Sequence, residues 1–194
     1  MENKDKIILH LCCSKYGSDT RDYAAAGYDV RYIGKEIGVE SYHPPKGVYG
    51  VIANPTCTMF SIARTTGKKP RDLREGMWLV QECLRVIWEC MYDDLEGSNR
   101  TFFHFKFWAL ENPATGLLRK FLGKPAYEYQ PYEFGEDRSK RTALWGMFNP
   151  PPKPLLLMNK SKNVLGYKES TTHNLDTRSI ASPQFTKAFF YANQ

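Results

Sequence analysis

The chain has no apolar run long enough to cross a bilayer. Its first one, Ile7-Ile8-Leu9-His10-Leu11-Cys12-Cys13, is short and interrupted by a histidine. A membrane span and a secretory signal core are therefore not expected. Cysteine is sparse and odd in number: Cys12, Cys13, Cys57, Cys83 and Cys90 show no zinc-site spacing, which argues against a disulfide framework or a metal site. Those features predict reduced thiols and a cytoplasmic location. Internal repeats and low-complexity tracts are absent, so solenoids and disordered arrays are not expected. Acidic residues are outnumbered, 21 against 27 Lys and Arg, leaving a net charge of +6 and a pI near 9.0. A basic surface suits a polyanion such as nucleic acid, although many soluble proteins are basic without binding one.

What remains is ordinary: 194 residues, 42% hydrophobic and 25% charged, the makeup of one folded domain. Residues 7–12 form a continuous apolar run, as expected for a strand covered on both faces. Ser18-Asp19 can cap a helix that Gly27 closes. Residues 29–33 and 48–53 read as further strands, the second stopped by Asn54-Pro55. From Leu73 the stripe Leu73, Met77, Val80, Leu84, Ile87 and Met91 repeats at steps of three and four. It predicts a long amphipathic helix with Trp78, Trp88, Cys83 and Cys90 in the core.

Residues 103–110 read as a strand, 114–122 as a helix, and 127–134 and 142–145 as a closing pair of strands. Alternating strands and helices imply βαβ units and a mostly parallel α/β sheet. Residues 1–150 are expected to form the domain, and residues 151–194, after Pro150-Pro151-Pro152, a short basic tail packing back on it. Ligands of such sheets bind beyond the carboxyl ends of the strands, which directs attention to the loops at 13–18, 54–66 and 111–116.

Those loops carry a resemblance. Ala53-Asn54-Pro55-Thr56-Cys57-Thr58-Met59-Phe60-Ser61 resembles the Pro-Cys loop of the cytosine-C5 DNA methyltransferases. Glu111-Asn112-Pro113 resembles that family's Glu-Asn-Val motif, and Arg138-Ser139-Lys140-Arg141-Thr142 its basic motif. The stretch from Arg178 through Phe189-Phe190 is similar to the ends of short phage-type members. The motifs stand in the family's order over most of the chain. The resemblance implies a Rossmann-like methyltransferase fold and methylation of cytosine C5 in DNA. It assigns Cys57 as the thiolate that adds to ring carbon C6 and Glu111 as the acid near N3, with Lys140 or Arg141 at the carbonyl oxygen. The base for the C5 proton has no assignment.

The cofactor implied is S-adenosylmethionine, on the turn after the first strand. Where the family has a Gly-rich turn, this chain has Cys12-Cys13-Ser14-Lys15-Tyr16-Gly17, keeping only Gly17; His10 stands where an acid is usual. By itself, a histidine on an apolar strand is more often a hydrogen-bonded core residue than a ligand contact. Glu36 and Glu40 are the acids available for the ribose and the adenine amine, and Asn54 flanks the same crevice. Arg64, Lys68, Lys69 and Arg71 are the candidate phosphate contacts beside the Cys57 loop. The recognition region is short, so specificity is expected to be low, or supplied by a partner or a homodimer. Two rival readings are a degenerate methyltransferase fold that only binds nucleic acid or protein, and C5 modification of a free cytidine nucleotide. An amino-methyltransferase ranks lower, because its motif needs an aromatic where Cys57 stands.

Overall fold

The computed structural model describes residues 2–13, 17–62, 70–96, 104–136, 140–154 and 180–194. Six strands make one mixed sheet: β1 (Ile7–Leu11), β2 (Asp29–Ile33), β3 (Val48–Ala53), β4 (Phe107–Pro113), β5 (Tyr127–Tyr129) and β6 (Thr142–Met147). Their order across the sheet is β2-β1-β3-β4-β6-β5. The first four are parallel, and β6 runs antiparallel to both β4 and β5. Among the described residues four helices flank them: α1 (Arg21–Ala25), α2 (Leu73–Glu96), α3 (Arg119–Leu122) and α4 (Pro183–Ala192). The mostly parallel α/β sheet expected from the alternating pattern is present, in an arrangement consistent with a Rossmann-like fold. No helix among the described residues is long and apolar enough to cross a membrane.

Strand side chains alternate between faces, and the two faces bury different chemistry. On one, Leu9, Leu11, Val51, Ala53 and Leu110 pack against Val80, Cys83, Ile87 and Cys90 of α2. On the other, Ile8, Ile52, Phe107, Ala109 and Leu144 pack against Tyr23 of α1 and Phe185, Phe189 and Phe190 of α4. The second face is an aromatic network: Tyr129 stacks on Phe185 with centroids 3.7 Å apart, and Tyr23 stacks on Phe107 at 5.5 Å.

Several expected boundaries move, each for a physical reason. The fourth strand starts at Phe107 and runs through Glu111-Asn112-Pro113, because β6 pairs with it down to Pro113↔Thr142. The helix expected over 114–122 reduces to α3, since the Leu117 N–H donates to the Phe60 carbonyl (2.8 Å) outside its own segment. The strand expected over 127–134 stops at Tyr129. Pro131 opens a 3-10 turn there, closed by a capping box of Gln130 and Glu133. Trp78 and Trp88 are 47% and 61% exposed, opposite the stripe that faces the sheet, so their expected place in the core is corrected. Cys83 and Cys90 are buried as expected.

The stretch before the C-terminus contains a helix that apolar periodicity did not flag. Ser182 caps α4 by accepting from Phe185 N–H (3.2 Å), and Pro183 follows at its first turn. Asn193 ties the helix end to Asn149 through two hydrogen bonds of 2.8 and 3.0 Å.

Candidate active site

The strand order reverses at β1, with β2 on one side and β3 on the other. A crevice is expected where neighbouring strands lead their chains to opposite faces. Residues leaving the carboxyl ends of β1, β3 and β4 line that rim, which is where the three loops singled out in the sequence fall.

The Cys57 loop is clamped from several directions. Asn54 N–H donates to the Leu11 carbonyl (3.0 Å), fixing the loop to the end of β1. Buried Asn112 donates its side-chain amide to the Pro55 carbonyl (3.0 Å). Phe60 and Ser61 N–H both donate to the Cys57 carbonyl, at 2.9 and 2.8 Å, making the 3-10 turn Cys57–Met59. Arg71 donates to the Met59 carbonyl and to the Ser61 carbonyl (3.0 Å). Gly76 of α2 lies against the same turn, where a Cβ would come within 2.9 Å of the Met59 side chain. The backbone is therefore held while the Cys57 side chain stays exposed.

Glu111 lies on β4, on the aromatic face, and meets Lys140 just before β6 (Nζ–Oε1 3.4 Å). Its other oxygen, Oε2, accepts from the Asn54 side-chain amide at 3.4 Å. Asn54 in turn faces His10 of β1, with Oδ1 2.9 Å from the ring Nε2. Asp19, in the turn that leads into α1, sits 4.0 Å from the same nitrogen. The Lys140 ammonium is held above the ordinary lysine range, chiefly by Glu111 and further by the charges of Asp19 and Cys57. Burial pushes the His10 imidazole below its usual range, against the opposing pull of Asp19 and Asn54. A cavity of about 20 Å³ lies under this cluster, between Asp19, Glu111, Leu144 and Phe185. It has room for about one water molecule.

Of the residues singled out in the sequence, Glu111, Lys140 and Asn54 are therefore linked at one rim, and Cys57 stands near enough for its charge to act on Lys140. Arg141 does not join them: its guanidinium donates twice to Glu128 of β5, at 3.1 and 2.9 Å. Arg71 is engaged by loop carbonyls and supports the Cys57 turn. Cys12 has a left-handed backbone (φ 53°), and its thiol packs onto the α2 cluster, 3.6 Å from the Cys83 sulfur. Gly17 is also left-handed (φ 52°), and a Cβ there would collide with the Tyr32 ring. Glu36 and Glu40 are exposed beyond the end of β2. Ser14, Arg64, Lys68 and Lys69 lie outside the described residues.

Sequence reasoning placed His10 in the core and Asp19 at a helix start, and assigned neither to the site. The available signal was parity. His10 is two residues beyond Ile8 on β1, and Glu111 two beyond Ala109 on β4, so both continue one face of the sheet toward its carboxyl edge.

Compared with known proteins, the chain matches no family model and no curated protein.

Proposed function

We propose that this chain is an S-adenosylmethionine-dependent cytosine-C5 methyltransferase acting on DNA, built on a methyltransferase version of the Rossmann-like sheet. One observation carries the reading. Cys57, Glu111 and Lys140 come from three separate stretches of sequence, yet Lys140 lies in the field of both other groups at the rim.

Cytosine C5 is too poor a nucleophile to take a methyl group unaided. The Cys57 sulfur forms a bond to C6, and the ring electrons move toward C5. Glu111, with Lys140 beside it, stabilises the charge that develops across N3 and the carbonyl oxygen. After methylation the C5 proton passes to water, the Cys57–C6 bond breaks, and the electron pair of that bond returns to sulfur. To reach these groups the base must leave the helical stack.

The residues at the crevice suit an adenosyl group by donor chemistry. The Glu36 and Glu40 carboxylates, exposed past β2, can accept from ribose hydroxyls and an adenine amine. The Gly17 turn would form the wall, with the Tyr32 ring against it. Bound there, S-adenosylmethionine would supply an electrophilic methyl group and leave as the neutral thioether S-adenosylhomocysteine.

The test is a covalent trap. DNA containing 5-fluorocytosine has no C5 proton to lose, so an adduct with Cys57 should persist when the cofactor is present. Adduct on DNA, absent in Cys57→Ala, is the expected result. Adduct on a free 5-fluorocytidine nucleotide and none on DNA would move the substrate to the nucleotide. DNA binding with neither cofactor binding nor adduct would replace the enzyme with a binding module.

A further inference from the structure

The resemblance accounts for Cys57, Glu111 and Lys140, but it leaves unexplained why a fully buried histidine stands at the end of β1. His10 is 1% exposed, and both ring nitrogens have polar neighbours: Nδ1 lies 3.0 Å from the Thr20 hydroxyl and Nε2 2.9 Å from Asn54 Oδ1.

The hydrogen-bond directions along this chain can be worked out from its far end. A carboxylate only accepts, so the atom of Asn54 facing Glu111 Oε2 is the amide nitrogen. Asn54 therefore presents its carbonyl oxygen to His10, and the ring nitrogen facing it must carry a proton. Burial keeps the imidazole neutral, so its one N–H is at Nε2 and Nδ1 is bare. Nδ1 then accepts from the Thr20 hydroxyl, in preference to the Gly17 carbonyl that the same hydroxyl can reach at 3.2 Å. Each group has a single role: Thr20 donates to His10, His10 to Asn54, and Asn54 to Glu111. The chain crosses three adjacent strands, β1, β3 and β4, on one face of the sheet.

We infer that His10 is a positioning residue: through Asn54 it holds Glu111 with Oε2 engaged, leaving Oε1 aimed toward Lys140 and the reacting base. Glu111 Oε1 is enclosed and makes no hydrogen bond of good geometry, though Lys140 lies 3.4 Å away. It is the oxygen left for a substrate ring nitrogen. The inference rests on the cytosine reading for its chemistry, but the His10–Asn54–Glu111 linkage can be measured without it.

The discriminating pair of variants is His10→Gln and His10→Asn. Both remove the ring. The glutamine amide nitrogen reaches about where Nε2 was and can still donate to Asn54. The asparagine amide reaches only as far as Nδ1 did, keeping Thr20 and losing Asn54. In the cofactor-free protein, carbon-detected NMR of the Glu111 carboxyl and the Asn54 side-chain amide signals report the linkage. His10→Gln should leave both near wild type, and His10→Asn should shift both. With 5-fluorocytosine DNA and S-adenosylmethionine, His10→Asn should slow adduct formation about tenfold or more. His10→Gln should stay within about threefold, and cofactor affinity should be unchanged in both.

Equal NMR signals in the two variants would overturn the inference, as would equal adduct rates. Loss of cofactor binding in both would also overturn it and make His10 a wall of the cofactor crevice. If wild type forms no adduct, the cytosine reading fails, and the NMR comparison still decides the linkage.

Discussion

The two faces of the sheet are built from neighbouring residues of the same strands, yet only one ends in polar groups. On the α2 face, Leu9, Leu11, Val51, Ala53 and Leu110 remain apolar to the carboxyl edge. On the opposite face the aromatic packing ends one step earlier, and Ile8, Ile52 and Ala109 give way to His10, Asn54 and Glu111. The α2 face is hydrophobic throughout because it packs along the apolar stripe of a long helix. The other joins His10, Asn54 and Glu111 by hydrogen bonds, as buried polar groups require, and leaves Glu111 Oε1 outside the chain. Under the proposed function, a strand pattern becomes a site by changing what stands at one parity over its last residue or two.

The strongest way to break this contrast is at the nucleophile. Cys57→Ala should abolish adduct and turnover, by at least about a thousandfold. Because the side chain is exposed, thermal stability should barely move. A large loss of stability would assign Cys57 to packing. Glu111→Gln comes next, with an expected fall of about a hundredfold or more in rate, read by single-turnover kinetics. Glutamine keeps the shape, so a fall of less than about threefold would remove Glu111 from the reaction.

On the packing side, Phe189→Ala tests whether α4 belongs to the domain core. Phe189 is buried against Phe107 and Phe185. Truncating such a ring costs about 3–5 kcal/mol, readable by urea unfolding. A loss under about 1 kcal/mol would mean that α4 packs loosely on the sheet. Arg71→Ala separates two meanings of a basic residue. As a clamp on Met59 and Ser61 it should reduce turnover about tenfold and leave the salt dependence of DNA binding unchanged. As a phosphate contact it would instead flatten that salt slope by about one.

Part of the sheet was legible because a buried parallel strand is a continuous apolar run, as 48–53 is; 29–33, a half-exposed edge strand, was bounded instead by the turn at Gly27 and by Gly34, and it too has the expected limits. Other features depended on information from elsewhere in the chain. Phe60 takes the Leu117 N–H and so shortens a helix, and β6 extends β4 past its apolar stretch. The exposed Trp78 and Trp88 show that a tryptophan on an amphipathic helix does not follow its stripe inward. At the site, Cys57 and Glu111 were legible as motifs. Arg141 was not, because its partner Glu128 lies on a strand that the motif does not contain. Asp19 read as a helix start, since nothing in its neighbours indicates that Lys140 is near.

The smallest expected effect concerns His10 and pH. Burial lowers its pKa in the folded state, while the unfolded chain keeps about 6.5. Below pH 6.5 the unfolded state therefore binds the proton first, and stability falls as pH drops until the folded ring also protonates. Above 6.5 both states are neutral and the stabilisation is complete. The groups facing the ring are Asp19, Thr20, Asn54 and, 6.0 Å away from β2, Tyr32. Asp19 opposes the shift and so narrows the pH window. His10→Gln removes the titration, so its stability curve should diverge from wild type only on the acid side. The slope difference there cannot exceed about 1.4 kcal/mol per pH unit for one proton. Urea unfolding from pH 4.5 to 8 measures it. Curves parallel across that whole range would mean that folding leaves the His10 pKa unshifted, and a wild-type curve that falls relative to His10→Gln above pH 6.5 would mean that His10 keeps its proton in the fold. Nδ1–H would then donate to Thr20, and the linkage to Glu111 would hang from an imidazolium.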